Sequence, residues 1–535
     1  MSEMRYIATL DVGTTTLRCH IINSNLNVIS TATTEVTLIY PQPGFVEINP
    51  DELWEAVQRV IKKAIGGNLF NSYYLLSYLF VCLDAGLQPC DISCLAISTQ
   101  RSTFITWQRN NGKPFHNFIT WKDMRSKSLV KSWNNSFTMN VFRKLGYLIY
   151  CFTRNRRYLM ASELNFSTIQ CSCRLLWVLE NIPAVAENLR RRNVCFGTLD
   201  TWLIYKLSGF RLFVSDVANA SSTGLYDPFI MEWSTWPREL FGISLDIYPN
   251  VVSTDYDFGN TAYDIFDASI PLKCMTADQQ ASMFASWYLS QNDIKVTLGT
   301  GTFIDLNTKN EAHASVGGIY PLVAWKLENK ITYMAEAACN DTGSLIQWLL
   351  SIGLINTPEE TSSLAQEVEN SDGVYFVPAF SGLGPPISDD MAASGFFGVK
   401  PTSTKAHLVR ATLESIVYRI ILSLNVLKSE RNESYKKICV DGGVSNNDFV
   451  CQMLANMSGL EVIRFRTHDL SVIGATLIAG INAGIWNNNE NPIKTFNKET
   501  TIFEPNIKES LRKELHANLD NWLKVVKRFK SWYLK

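Results

Sequence analysis

The sequence predicts an α/β protein built as two related halves. Three observations carry that expectation. Short apolar runs that read as buried strands alternate with amphipathic stretches that read as helices. Several of the strands end in glycine- and threonine-rich turns, among them DVGTTT, LGTGTF and VDGG. The third is an internal echo. Residues 5–30 read as strand, DVGTTT, strand, asparagine-rich turn, strand, and residues 294–311 repeat the theme as IKVTL, GTGTF, IDL, NTKN.

The composition bounds what such a chain can be. Its 535 residues suffice for more than one domain. Hydrophobic residues are 46%, enough for large cores, while charged residues are 19% and the formal net charge is −1. That balance excludes a disordered chain, a collagen-like chain and a basic nucleic-acid binder. The sequence offers no polybasic stretch for a membrane surface. The opening MSEMRYIATLDVG lacks the parts of a signal peptide. The apolar run from Tyr73 to Leu83 falls short of the ~20 residues that span a bilayer and reads as a buried helix. Twelve cysteines are scattered without zinc spacing, and Cys171-x-Cys173 is too close for a CxxC site. They read as reduced thiols of a cytoplasmic protein.

Along the chain, YIATL opens a strand, DVGTTT turns, and LRCHII and VIS return as two more strands. Helical periodicity spans 51–65, with Asp51 as the expected N-cap after Pro50. ISCLAIST (92–99) is a buried strand. GTLDTWLIYKL (197–207), SLIQWLLSIG (344–353) and the long run 405–427 read as helices, and KKICV leads into the DGG turn. The closing stretch from His516 reads as an amphipathic helix packed on its own domain. The interval 140–175 is apolar, aromatic and basic, and has no assignment. The division falls near 285, giving residues 1–286 and 287–535.

The turns carry the chemistry. Gly/Thr hairpins offer backbone N–H groups and hydroxyls that can cradle phosphate oxygens, at Gly13-Thr14-Thr15-Thr16 and again at Gly299-Thr300-Gly301-Thr302. Asp11 ends the first strand where a carboxylate can hold Mg²⁺ through water, and Arg18 can add positive charge. Asp278, in TADQQASMF, stands at a strand-to-helix turn and suits a general base for a hydroxyl. Asp441-Gly442-Gly443 lets backbone approach a flat ligand such as adenine, with Asn447 and Gln452 on the following helix. No GxxxxGK[ST] occurs, which excludes a P-loop, and no GxGxxG opens a helix, which disfavours a Rossmann site. Taken together and in this order, the features describe an ATP cleft split between two similar domains.

That order resembles the FGGY-type carbohydrate kinases, and within them the glycerol kinases. The resemblance runs from about residue 5 to about 490, through ATLDVGTTTLR (8–18), ISTQRSTFITW (97–107), SDVANASSTGLYD (215–227), ADQQASMF (277–284), LGTGTFIDLNT (298–308), GSLIQWL (343–349) and VDGGVSNNDFVCQ (440–452). It implies the two-domain actin/hexokinase/Hsp70-like (ribonuclease H-like) fold with an interdomain ATP cleft. It further implies ATP- and Mg²⁺-dependent phosphorylation of glycerol to sn-glycerol 3-phosphate, with Asp278 as base. Asp11 would lie near Mg²⁺. Thr14, Thr15, Thr16, Arg18, Gly299 and Thr300 would face the phosphates. Gly343 and Gln347 would flank the nucleotide, and Gly442, Gly443 and Asn447 would border adenosine. Arg101, Ser102, Trp121, Gln279 and Phe303 would line the polyol pocket beside Asp278. The implied partners are a small polyol and ATP, with no nucleic acid and no transmembrane segment, and a homo-oligomer is left open.

The chain departs from the family pattern on the acceptor side. The family's Arg-Glu pair is Arg101-Ser102 here, which removes a carboxylate worth ~1.5–3 kcal/mol as a charged hydrogen-bond partner. Ile169 stands where a pocket tyrosine is expected, Cys171 where a small hydroxyl residue or proline is expected, and Arg174 where a lysine is expected. Two further readings follow from these changes: a kinase for another polyol or sugar, and a nucleotide-binding regulatory protein with little turnover.

Overall fold

The computed structural model describes residues 4–66, 86–290, 294–431, 433–465, 469–486, 500–506 and 508–533. The apolar run Tyr73–Leu83 lies outside the described residues.

The echo seen in the sequence is a repeated sheet. In the first half, Tyr6–Val12, Thr16–Asn23 and Val28–Glu35 form an antiparallel meander. Ile92–Thr99 joins the other edge of Tyr6–Val12 in parallel, and Leu272–Ala277 joins Ile92–Thr99, also in parallel. In the second half, Ile294–Leu298 and Thr302–Lys309 form the same hairpin, extended by Lys330–Cys339 and Tyr320–Leu327. Lys437–Asp441 and then Glu461–Phe465 add in parallel on its far side, and Thr500–Phe503 closes the edge. Strands bonded on both sides and covered on both faces need apolar residues throughout, which is why YIATL and ISCLAIST are legible as continuous runs.

Local chemistry shifts two of the expected boundaries. The helix Pro50–Ile65 is capped by Asn49, whose Oδ1 accepts from the Asp51 and Glu52 N–H groups at 2.9 and 3.2 Å. Pro50 fills the first helical position, where no N–H is needed, so the cap falls before it and not at Asp51. Gly197 and Thr198 belong to the strand Val194–Thr198, and the helix is Leu199–Leu207. A Cβ at Gly197 would stand 2.6 Å from the Trp107 ring, so glycine keeps that ring against the strand. The unassigned interval holds the helices Phe137–Thr153, Arg156–Ser162 and the start of Cys171–Asn181. The last helix, Glu509–Phe529, buries Leu519, Trp522, Val525 and Val526, and the Trp522 indole donates to the Phe376 carbonyl at 2.7 Å.

Each sheet has its own core, and a third core joins them. It gathers Ile7, Cys94 and Cys274 from the first sheet, Cys439 and Ile463 from the second, and two helices, Asp278–Ser290 and Leu470–Asn482. These helices touch at Gly474, where a Cβ would lie 1.8 Å from the Ala281 carbonyl oxygen. No side chain fits there. Gly474→Ala is therefore expected to cost about 1–3 kcal/mol by overpacking, read as a lower midpoint in chemical denaturation; an unchanged midpoint would refute the close contact.

Candidate active site

The first hairpin stands at the end of the first sheet. The Gly13 N–H donates to the Thr16 carbonyl at 2.9 Å, which closes the turn and leaves Thr15 exposed at its tip. Gln100 props it from the next strand, donating to the Gly13 carbonyl at 3.0 Å and accepting from Thr14 and Thr103. The Trp121 indole donates to Thr14 Oγ1 at 2.9 Å. Asp11 is buried below the turn, and its Oδ1 accepts no hydrogen bond among the described residues. Burial pushes its carboxyl up to about 6, against the pull of Arg18 and with a further push from Asp278. Arg18 stands 3.8 Å from Asp11 and pairs with Asp469, so this expected phosphate contact is already engaged by two carboxylates.

Asp278 opens its helix directly from the strand Leu272–Ala277. The Gln279 N–H donates to its Oδ1 at 2.7 Å, and Arg101 Nε lies 3.8 Å away. Burial raises its proton affinity, while Arg101, that N–H and Lys295 oppose the rise. The neighbourhood is more charged than the sequence suggested. Arg101 Nη2 meets Glu336 Oε2 at 2.7 Å. Burial works against the Arg101 charge, and Glu336, Asp278 and Asp305 more than offset it. Asp305 is fully buried opposite Glu336 in the strand register, and burial followed by Glu336 raises its carboxyl well above the ordinary range. Lys295, also fully buried, lies 3.9 Å from Asp305 and 3.4 Å from Asp441, and donates to Gln279 Oε1 at 3.0 Å.

The second hairpin is enclosed by glycines. The Gly343 N–H donates to the Gly299 carbonyl at 2.9 Å, so the helix Gly343–Ser351 begins on the turn itself. A Cβ on Gly343 would stand 2.8 Å from the Gly299 carbonyl oxygen, and one on Gly442 (φ 84°) 2.6 Å from Leu298. Gly299, Gly343 and Gly442 therefore converge, with Thr300 exposed at the tip. Around Gly443 nothing lies within 4 Å of a Cβ position, which leaves open space beside the backbone. Gln347 is exposed on the next turn of its helix. Asn447 caps the helix Asp448–Ser458 through the Val450 N–H and donates to Thr361 at 2.9 Å.

Arg101 lies 5.5 Å from the Phe303 ring centre, and Trp121 meets the same ring edge-on at 6.4 Å. These residues form one wall. Ser102 does not face it as a free hydroxyl: its Oγ donates to the Ser222 carbonyl at 2.7 Å. Behind the wall, fully buried Arg174 donates to the carbonyls of Ser102, Ile119, Thr120, Ile169 and Gln170. A fork of five donors accounts for arginine there in a way that lysine's three cannot.

Sequence reasoning missed Lys295, Asp305, Glu336 and Gln100. The available signal was a charge inside a strand otherwise read as apolar, as in IKVTL and IDL.

The residues 6–285 match the family model "FGGY family of carbohydrate kinases, N-terminal domain", and residues 294–483 match the C-terminal domain of that family. Glycerol kinase 5 of Danio rerio is 41% identical over 530 residues, covering 99% of this chain and 97% of that protein. Glycerol kinase 2 of Thermotoga maritima is 33% identical over 530 residues, with 99% of each chain covered. Among solved structures, the glycerol kinase of Plasmodium falciparum with ADP superposes with a TM-score of 0.83 at 25% identity, covering 98% of both chains. Its likeness bears out the two-domain actin/hexokinase-like fold. The chain belongs to the FGGY family of carbohydrate kinases and is an ATP-dependent carbohydrate or polyol kinase.

Proposed function

We propose that the protein phosphorylates glycerol to sn-glycerol 3-phosphate, with Asp278 as general base. The observation that carries this is the setting of Asp278: half-buried at a helix start, 3.8 Å from Arg101, and raised in proton affinity by burial. A carboxylate so placed takes a hydroxyl proton more readily than one in water. In the step, the Asp278 oxygen accepts the proton of the attacking hydroxyl, the freed oxygen bonds to the γ-phosphorus of ATP, and the bond to the β-phosphate oxygen breaks to release ADP. Arg101 and Lys295 oppose the rise in proton affinity and favour the carboxylate form.

The phosphates are read as lying between the two hairpins, against the hydroxyls and N–H groups of Thr14, Thr15, Thr16, Gly299 and Thr300. The buried, unpartnered Asp11 Oδ1 fits a water-bridged Mg²⁺. Bound there, Mg²⁺ supplies neutralisation of the charge on the transferring phosphates. Adenosine is assigned to the open space at Gly443, with Gly343, Gln347, Gly442 and Asn447 around it. The polyol is assigned to the wall of Arg101, Trp121 and Phe303, with Gln279 beside it. Closure of residues 1–286 on 287–535 would exclude water from the reacting phosphate. The eleven described cysteines are thiols and not disulfides, which suits the reducing cytoplasm.

A second acceptor, another polyol or a sugar, is favoured by one observation. Ser102 spends its hydroxyl on Ser222, so the family's carboxylate at that position has no replacement in the same loop. Glu336, bonded to Arg101, is the carboxylate nearest to filling that role.

Asp278→Asn is expected to lower kcat for glycerol by about 10²–10⁴-fold while ATP still binds, measured as ADP release with and without glycerol; full turnover in the variant would overturn the assignment. Glu336→Gln is expected to raise KM for the polyol roughly tenfold or more with KM for ATP unchanged. The Asp11 carboxyl is raised to about 6, so it is ionised above that pH and neutral below it. At limiting Mg²⁺, kcat/KM is therefore expected to fall as pH drops through about 6, and saturating Mg²⁺ should move that limb to lower pH because metal and proton compete. A limb indifferent to Mg²⁺ would remove Asp11 from the metal site.

A further inference from the structure

The helix Phe137–Thr153 takes no part in the site described above, and its two faces differ sharply. Met139 and Gly146 are buried on one face, where a Cβ at Gly146 would stand 3.1 Å from the Ser162 backbone and so meets the helix Arg156–Ser162. Helical geometry puts Phe137, Leu145, Leu148 and Phe152 on the opposite face. That face is open: Phe137 is 83% exposed, Phe152 82%, and Leu145 and Leu148 52% each. Burying four such side chains would gain far more than leaving them in water, so a ridge of this kind marks an interaction surface.

Charge says what covers it. Between Asp123 and Glu163 the chain carries eight lysines and arginines and no acidic residue. They include the adjacent pairs Arg143-Lys144 and Arg156-Arg157, and the chain's net charge of −1 hides them. Four are paired: Arg125 with Asp123 and Glu47, Arg143 with the Leu164 and Asn134 carbonyls, Arg156 with Glu311 and Arg157 with Asp227. Lys127, Lys131, Lys144 and Arg154 are exposed, and Lys144 lies on the same helical face as the apolar ridge. A second copy of the chain would bring like charges together across such a face. An anionic surface that is apolar beneath would satisfy both features. Exposed Tyr147 fits the same setting, since its ring suits the boundary between acyl chains and headgroups.

We propose that the outward face of helix Phe137–Thr153 docks the protein on anionic lipid bilayers, lying in the interface without crossing it. Phe137, Leu145, Leu148 and Phe152 enter the acyl boundary, and Lys144 with its basic neighbours faces the anionic headgroups. The docking is peripheral: among the described residues no helix is long and apolar enough to cross a membrane.

The test is flotation of the purified full chain with phosphatidylcholine vesicles, with and without phosphatidylserine. The chain is expected to float with the phosphatidylserine vesicles and to be released by salt. Leu148→Ser with Phe152→Ser should lower that partition at least about tenfold, and Lys144→Glu about fivefold to thirtyfold. Both variants should keep wild-type kinase turnover in vesicle-free solution, since neither position touches the site, and that turnover also reports folding. The proposal is overturned by absence of flotation with either vesicle, by equal flotation with both, or by flotation that survives the double substitution. It is equally overturned if vesicle-free protein self-associates and the double substitution abolishes that, which would assign the ridge to a second copy.

Discussion

The contact between Gly474 and Ala281 is the constraint on which the rest depends. Strands of both sheets share one core with two helices, and those helices meet backbone to backbone. One of them opens with Asp278, and the other begins beside Asp469, the partner of Arg18. The depth of that single crossing therefore sets where a carboxylate from one half stands relative to the hairpin of the other. Cores transmit such placements because close-packed interiors do not deform continuously. Leu470–Asn482 belongs to the second half in sequence, yet it packs on strands of the first, so the division of the chain and the division of the packing differ.

Around that crossing the protein buries ionisable groups on a large scale. Lys295 and Asp305 have no exposure, and Glu336, Asp441 and Arg101 have little. Removing ions from water costs several kcal/mol apiece unless each finds partners. Here they find one another in a connected array: Glu336 with Arg101, Lys295 between Asp305 and Asp441, Asp441 accepting from Ser282 at 2.6 Å. An array of this kind is weak evidence for stability. It is better understood as fixing the positions of Arg101 and Gln279, which are proposed to face the polyol. Arg174 does the equivalent for the loops behind that wall, gathering five carbonyls that would otherwise need water.

How much of this was legible depended on whether the cause was local. YIATL, ISCLAIST and KKICV were legible as strands because burial on both faces leaves a continuous apolar run. The two Gly/Thr hairpins and Asp278 were legible because turn chemistry and strand ends are written in adjacent residues. Asn49 was missed as a cap because Pro50 shifts the helix start by one position, which a rule that favours Asp51 overlooks. Asp305 and Glu336 were missed because they lie about thirty residues apart and only strand register sets them face to face. Phe137–Thr153 resisted assignment because it is apolar on its outward face as well as its inner one, so it lacks the polar stripe by which surface helices are known.

The hydrogen bond from the Trp121 indole to Thr14 Oγ1 has a consequence of another kind. Trp121 stands in the wall that meets Phe303, and Thr14 stands in the first hairpin, so one 2.9 Å bond joins the two surfaces proposed to bind acceptor and phosphates. Thermodynamic reciprocity then applies: if occupancy at either surface reorients this pair, the free energy by which one ligand alters the affinity of the other is the same in both directions. If the nucleotide phosphates sit at the hairpin and the acceptor at the wall, as proposed, a change on the acceptor side would register in the nucleotide's binding isotherm as well.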